Sequence, residues 1–562
     1  MFIKKGSNVY TLTVLIIVAV SLTLISAGQG KSGRGAKKGK KQVTALDKRG
    51  ELMSGRAMEA DLSGMEGHGG FTGTGSPPRV STNVQVNDPQ AFFPGGLVGR
   101  SENSIVTLQG GQRMVAGWND ADGFCGFPFG VPCTPPPTPG LSGFGFSSDG
   151  GQNWTDGGAP PLFNNIFTVG DPWLDRGGFD KDTILYSNIG LDLSTFDFGI
   201  SIHRGHFDGS NNFAWEDVRF ITPEFQADFL DKEALAANKD GSGVVIVSLT
   251  NFLDLSVRGI CPAFSPIGFG QIEVFRSADG GNSYSGPIVV GPDLTDLAAD
   301  PNCNIGVSQQ SSSSAFGPNG EVYVVWERGP TFDFASSPPS VSPGAEIVVA
   351  RSLNSGMNFD SPVAVASINH MRGAPPVAYN RNRINTHPRI AVVTEGTHKG
   401  RVFVAFSSMV SPVSGIPVTV PPASCPPGVP QDRPCVAQNL TSSQVFVSHS
   451  DDQGATWSAP VPLAPAPPPT GLKRLWPTVS IEPGGAVDVI YYESQERGLT
   501  PDPNDIECNR TTQGNRRRAG TAVSLVDTFW ARSGDGGASF NSPVRASDVS
   551  TNWCQVGSNI IP

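Results

Sequence analysis

The sequence predicts an all-β protein, a propeller of six four-stranded antiparallel blades, and three observations predict it. An octet of the form Ser-x-Asp/Asn-x-Gly-x-x-aromatic occurs five times. Each copy lies between short strand-like runs in the same order, and helical periodicity is nowhere sustained. Glycine (68) and proline (48) are abundant among 562 residues while charged residues make up only 16%, the composition of a turn-rich chain.

The octets are Ser147-x-Asp149-x-Gly151-x-x-Trp154, Ser277-x-Asp279-x-Gly281-x-x-Tyr284, Ser352-x-Asn354-x-Gly356-x-x-Phe359, Ser450-x-Asp452-x-Gly454-x-x-Trp457 and Ser533-x-Asp535-x-Gly537-x-x-Phe540. The first interval is long enough for two units. Inside it, "HFDGSNNFAW" (His206 to Trp215) reads as a degenerate copy, which makes six units.

A strand leads into each octet ("QIEVFRS", "EIVVARS", "QVFVSHS") and a short one follows ("FDSPVAV", "WSAPVPL"). Upstream, after a glycine turn, lies another ("GEVYVVWE", "GRVFVAFS", "GAVDVIYYE"), preceded by a further run such as "HPRIAVV" or "WPTVSIE". Four strands per unit joined by tight turns form a β-meander repeated about an axis. At the chain ends, "SPPRVSTNVQVND" reads as an outermost strand and "NWCQVGSNIIP" as the start of an innermost one, so a seventh, incomplete blade is the alternative to six.

The five octets resemble the Asp-box (bacterial neuraminidase) repeat of the sialidase-like propeller superfamily, over roughly residues 80–562. The resemblance implies blades of strands A to D, innermost to outermost, with the octet on the C–D turn and the ligand on the opposite face. Asp149, Asp279, Asn354, Asp452 and Asp535 then read as structural: a short acceptor takes backbone N–H groups of its own turn, glycine supplies positive φ, and the aromatic packs on a neighbouring sheet.

Long insertions fall in the B–C position, at 119–140, 250–270, 328–344, 407–443 and 494–522. With the D–A linkers they occupy the face away from the octets. Side chains at the starts of A strands and the ends of B strands should ring the axis there. The candidates are Trp118, Asp120, Asp171, Trp173, Lys232, Glu233, Trp326, Glu327, Arg328, His387, Arg389, Arg474, Trp476, Tyr492 and Glu493. Carboxylates, cations and aromatics at one mouth suit a sugar, whose ring faces stack and whose hydroxyls bond to charged groups; packing inside the blades is the plainer role for any one of them.

A sialidase carries an arginine cluster and a tyrosine nucleophile activated by a glutamate. The family signature on the first innermost strand, Arg-Ile-Pro, is absent: Arg100 stands in "GGLVGRSENS", and the "PRI" at Pro388-Arg389-Ile390 has another order and place. Tyr492 and Glu493 adjoin on a strand and point to opposite faces. The catalytic residues are therefore unassigned. Two functions follow as expectations: a glycan-binding propeller, if an enzyme a glycoside hydrolase of sialidase type, or a non-catalytic surface platform for protein or polysaccharide.

Lys4 and Lys5 before an apolar core from about Leu12 to Ile25, ending in Ser26-Ala27-Gly28, read as an export signal over 1–28, cleaved or retained as an anchor. A basic, then Gly-rich linker over 29–78 precedes the propeller at 79–562. The expected location is secreted or in the cell envelope, with the membrane touched only through an uncleaved N-terminal segment. The formal charge of −10 includes a purely basic stretch through residue 41. An acidic body without a basic stripe excludes nucleic acid as a partner.

Eight cysteines in an exported chain suggest disulfides. They fall as Cys125/Cys133, Cys261/Cys303, Cys425/Cys435 and Cys508/Cys554. Two of these pairs would tie a B–C insertion to the following D–A linker, which favours this pairing among those the sequence leaves open. No cofactor is expected; acidic loops at Asp156 or Asp208 offer oxygens to Ca²⁺ without EF-hand spacing. Sequons occur at Asn153, Asn439 and Asn509.

Overall fold

Six antiparallel sheets stand around one axis in the computed structural model, each built from four strands consecutive in sequence. Blade 1 comprises Arg100–Thr107, Met114–Asp120, Ser142–Ser147 and Thr155–Gly158. Blade 2 comprises Ile166–Arg176, Ile184–Asp192, Phe198–Phe207 and Phe213–Ile221. Blade 3 is Phe229–Ala237, Val245–Leu253, Phe269–Ser277 and Ser285–Gly291. Blade 4 is Ile305–Phe316, Val322–Asp333, Gly344–Ser352 and Val363–Asn369. Blade 5 is Arg389–Val392, Val402–Val410, Ser442–Ser450 and Val461–Pro462. Blade 6 is Lys473–Ile481, Val487–Gly498, Ala522–Ser533 and Val544–Arg545. These six sheets coincide with the six repeat units, so the blade number is six.

The structure describes residues 58–59, 83–84, 86, 100–108, 110–120, 140–255, 257–260, 269–292, 303, 305–333, 340–342, 344–371, 385–411, 423–424, 442–464, 466–469, 471–482, 485–498, 522–548 and 550–552. The expected signal, nearly all of the linker, much of the B–C insertions and the sequons at Asn439 and Asn509 lie outside them.

Of the eight cysteines only Cys303 lies among the described residues, so none of the expected pairings is tested. Cys303 is 1% exposed and disulfide-bonded. Its bond partner is outside the described residues, since Cys125, Cys133, Cys261, Cys425, Cys435, Cys508 and Cys554 all are. Both members of the expected pairs Cys125/Cys133, Cys425/Cys435 and Cys508/Cys554 therefore fall outside, and the described residues contain none of those three bonds.

The B strands are apolar almost throughout because both of their faces are covered. Val245, Val247 and Leu249 of blade 3 pack on Ile200 and Ile202 of blade 2, while Ile246 packs on Val322 and Val324 of blade 4. Equivalent clusters fill the seams between blades 1 and 2, 4 and 5, and 5 and 6. Burying each such side chain contributes about 1.5–3 kcal/mol. The chain ends meet where blade 6 approaches blade 1: Asn83 Nδ2 donates to Ala546 O (3.0 Å), and Asp548 N donates to Asn83 Oδ1 (2.7 Å).

All five octets are C–D turns with one hydrogen-bond plan. In the first, Ser147 Oγ donates to Asp149 Oδ1 (2.8 Å) and accepts from Gly151 N (3.0 Å), and Asn153 N donates to Asp149 Oδ1 (2.9 Å). The amide of Asn354 fills the carboxylate's place in the third, accepting from Ser352 Oγ at 2.8 Å. Asp208 in the degenerate copy accepts Ser210 N and Asn212 N, both at 2.8 Å. These bonds stabilise the ionised form. The backbone and side-chain donors of Asn153 hold Asp149 down at about 2, and the hydroxyls of Thr456 and Ser539 do the same for Asp452 and Asp535.

The octets of blades 3 to 6 also lean on the preceding blade. Gly356 has φ +81, and an added Cβ would stand 2.6 Å from Ile246 Cδ1; at Gly537 it would stand 2.3 Å from Phe403 Cε1. Arginines of the preceding blade grip the turns from outside: Arg276 Nε donates to Ser355 O (2.7 Å), Arg351 Nη1 to Gln453 O (3.1 Å) and Arg401 Nη1 to Gly536 O (2.6 Å). The octet face is thus occupied with holding blades together.

Candidate functional site

At the opposite end of the axis, the six innermost strands share one irregularity. In every blade the A strand pairs regularly up to the fourth residue of its B strand, at Ser104↔Gly117, Trp173↔Ser187, Ala234↔Ser248, Ser313↔Val325, Arg389↔Ala405 and Thr478↔Ile490. Opposite the fifth B residue, five of the A strands hold two residues where one would fit, a bulge. In blade 5 the same two places, His387 and Pro388, precede the paired residues. The first residue of the pair is left-handed in blades 2 to 6: Asp171 (φ 57), Lys232 (φ 54), Ser311 (φ 64), His387 (φ 46) and Trp476 (φ 50). A non-glycine residue in this region carries strain, which concentrates at functional sites. Here it recurs at one height around the axis.

The bulge residues meet one another. Lys232 Nζ lies 2.5 Å from Asp171 Oδ2, both side chains less than 8% exposed. The His387 ring stands edge-on to Trp476 at 5.9 Å, and Trp476 to Tyr492 at 6.4 Å. Trp476 Nε1 donates to Asn385 O (2.9 Å), and Asn385 Nδ2 donates to Gln310 Oε1 (2.7 Å). The sixth residue of the B strand supports the next blade's bulge from behind. Asn119 Oδ1 accepts Asp171 N (2.8 Å), and Glu327 Oε2 accepts Thr386 N (3.1 Å).

One residue below the ring, Trp173 and Arg389 come from blades 2 and 5, which face each other across the axis. The Arg389 guanidinium lies 4.6 Å from the Trp173 ring centroid, and its Nη1 donates to Pro388 O at 3.2 Å. Among the described residues no carboxylate is within ion-pair distance of it. This contact spans the axis, so the mouth narrows to a cup at that level.

The mouth carries buried charges around its whole circumference. Blades 1 to 3 supply Asp120, Asp171, Asp231, Lys232 and Glu233, all at most 8% exposed. Blades 4 to 6 supply the amides and aromatics Gln310, Asn385, His387, Trp476 and the half-buried Tyr492 beside the charged Glu327, Arg389, Arg474 and Glu493. Tyr186 lies beneath the carboxylates of blades 1 to 3. Burial first, then the Asp120 and Glu233 carboxylates, push its phenol well above the usual range. Its hydroxyl donates to Gly143 O (2.7 Å) between blades 1 and 2.

Other candidates take places within the sheets. Trp326 is 1% exposed and donates to Gln309 Oε1 (2.6 Å) inside the seam between blades 3 and 4. It is the fifth residue of its B strand, and alternation turns that position toward the preceding blade. Trp118 has the same position, is 4% exposed, and donates to Asp120 Oδ2 (3.3 Å). Arg328 pairs with Glu346 of the adjoining strand (2.7 Å), and Arg474 pairs with Glu493 (2.8 Å). Arg328, Arg389 and Arg474 therefore have three separate partners and form no common cluster.

Ser311, Gln310 and Asn385 were not among the candidates. The signal that could have found the ring is proline as second bulge residue, at Pro172, Pro388 and Pro477. The carboxylates weighed for Ca²⁺ are used by their own turns: Asp156 Oδ1 accepts Gly158 N (2.9 Å), and Asp208 accepts as above. Asn153, in the first sequon, donates its side-chain amide to Asp149 Oδ2 (2.6 Å). Above the mouth, short pieces of two insertions pair, Ser340↔Ser424 and Val341↔Ala423, joining the loops of blades 4 and 5.

No family model and no curated protein matches the chain. Solved structures do match in part. An α-L-arabinofuranosidase of Fusarium graminearum in complex with an iminosugar inhibitor is 13% identical, covers 84% of this chain and 99% of its own, and has a TM-score of 0.42. A Penicillium chrysogenum α-L-arabinanase complexed with arabinobiose is 14% identical, with 74% and 94% covered and a TM-score of 0.41. A leech intramolecular trans-sialidase is 10% identical, with 73% and 67% covered and a TM-score of 0.38. A likeness of this degree says nothing of what this chain binds.

Proposed function

We propose that this chain is an exported, sialidase-like glycan-binding propeller whose ligand sits at the axial mouth, on the face away from the Asp-box turns. The observation that carries the reading is the ring of left-handed bulge residues. Bulges in five A strands and a left-handed residue at the same place in blades 2 to 6, all at one height, deliver Asp171, Lys232, Ser311, His387 and Trp476 to one place. A saccharide presents hydroxyl edges and apolar ring faces, and a mouth that combines charged and aromatic side chains offers a partner to each. The shared bonding of the five octets supports the sialidase-like kinship, and the disulfide at Cys303 supports an oxidising compartment.

A second reading, hydrolysis, is favoured by the carboxylates of blades 1 to 3. Asp120 and Glu233 both act on Tyr186, and most glycoside hydrolases cleave with two carboxyl groups at one site. The experiment is a glycan array together with fluorogenic glycosides, arabinosides and sialosides included, on the wild-type protein and Tyr492→Ala. Binding that Tyr492→Ala weakens is expected. Fluorophore release adds hydrolysis, and binding without release leaves a platform. A folded wild-type protein that binds no glycan overturns the reading and turns attention to protein partners.

A further inference from the structure

Between blades 2 and 3, on the mouth face but away from the axis, a group of side chains is held without serving the bulge ring. The linker between the two blades leaves the outermost strand at Ile221 and reaches the innermost one at Phe229, so it runs radially from rim to axis. Strands of one sheet are spaced about 4.8 Å apart, so this path is ~14 Å long. It ends beside Asp231, Lys232 and Glu233.

Phe225 lies midway along the linker and is 41% exposed. The guanidinium of Arg258, from the B–C insertion of blade 3, covers one face of its ring at 3.9 Å. Arg258 is itself pinned: it is ion-paired to Asp228, whose side chain is fully buried and whose Oδ1 accepts Asp254 N at 3.0 Å. The aromatic ring is therefore backed by a fixed cation, while enough of it stays open for a second ring to stack.

One buried polar atom in the same seam has no complement among the described residues, and a nearby carboxyl has a single donor. Arg258 Nε is buried and has no acceptor. Glu273, 3% exposed on strand C of blade 3, accepts from Asn251 Nδ2 at 3.0 Å through Oε1, and no other donor reaches it. Burial raises Glu273, and the charges of Asp228, Arg258 and Glu224 are close enough to act on it. Buried polar groups are nearly always paired, so each exception calls for an explanation.

We propose that this seam is a second saccharide subsite, in which the open face of Phe225, backed on its other face by Arg258, stacks a sugar ring. The ligand is then an oligosaccharide lying along the linker from rim to axis. The inference rests on the glycan reading of the mouth and narrows it from a single sugar to a chain.

The test is an array carrying di- and hexasaccharides of arabinan, xylan, β-glucan, galactan and a polyuronate, with affinities measured for the pairs that bind. The wild-type protein is expected to hold a hexamer at least tenfold tighter than its dimer. Phe225→Ala should reduce that ratio to within about threefold, and Phe225→Trp should restore it. Tyr492→Ala, at the mouth, should weaken both lengths. A hexamer-to-dimer ratio unchanged in Phe225→Ala overturns the subsite and leaves the mouth reading in place. A wild-type protein that binds no member overturns both. Phe225 is half exposed, so its replacement leaves the fold intact, which thermal unfolding verifies.

Discussion

Lys232 and Asp171 occupy the same place in neighbouring blades and meet there, Nζ to Oδ2 at 2.5 Å. Each is the left-handed first residue of its bulge, so the pair joins blades 2 and 3 at the height where a ligand would sit. A buried ion pair is weak evidence for stability in itself, but removing one partner is costly. Lys232→Met, which deletes the ammonium facing a buried carboxylate, is expected to lower unfolding stability by ~3–5 kcal/mol. Asp171→Asn together with Lys232→Met should cost clearly less than the two single changes added. Urea unfolding of the four proteins measures this, and strict additivity would show that the two side chains do not depend on each other.

The octet carboxylates predict acid sensitivity. Asp149, Asp452 and Asp535 are held at about 2 by donors of their own turns, against an ordinary value of 3.8. Depressed acids stabilise the folded state above the unfolded value and lose that effect as pH falls through the folded one. Thermal stability should therefore drop between pH 4 and pH 2. Asparagine already serves at position 354, where its carbonyl oxygen accepts from Ser352 Oγ and Asn358 N. The triple variant Asp149→Asn, Asp452→Asn, Asp535→Asn should thus fold and show a shallower drop. Melting temperature against pH reads it, and parallel curves for the two proteins would contradict it.

Two glycines separate backbone strain from crowding. Gly537 (φ +88) and Gly485 (φ +84) share a left-handed conformation, but a Cβ on Gly537 meets Phe403 at 2.3 Å, whereas a Cβ on Gly485 meets nothing within 4 Å. Gly485→Ala should cost only the conformational ~1–2 kcal/mol. Gly537→Ala adds the displacement of a core ring, with overpacking of ~1–3 kcal/mol on top. Denaturant midpoints would show the difference, and equal losses would mean that the turn moves away from blade 5 at little cost.

The blades were legible because their turns are built from residue types. Only a serine, a short acceptor and a glycine at fixed offsets close the octet's bonds, so the chemistry of Ser147, Asp149 and Gly151 is written in the letters. The mouth is built from register. Asp171, Lys232, Ser311, His387 and Trp476 share no chemistry; what makes them equivalent is the B residue each stands opposite, a property of pairing and not of side chain. Position relative to strand ends placed several of them near the axis. It also enrolled Trp326, because alternation along strand B decides whether a side chain meets the mouth or the seam, and one residue reverses the answer.

Glu273 offers a pH dependence of opposite sign. Burial is the main cause that lifts it from 4.5 to about 7; the Asn251 amide and Arg258 oppose the rise, while Asp228 and Glu224 add to it. An acid raised in the folded state binds its proton more tightly there than in the unfolded chain. Stability is then greatest below pH 4.5, declines as pH rises to about 7, and stays level above that. A shift of this size corresponds to ~3 kcal/mol across the window. Glu273→Gln keeps the acceptor for Asn251 and cannot ionise, so the decline should vanish and the variant should be the more stable protein at pH 8. Chemical unfolding at pH 5, 6, 7 and 8 decides it. If both proteins lose stability equally across that range, Glu273 ionises as freely in the fold as in water, and the seam between blades 2 and 3 is wetter than its burial indicates.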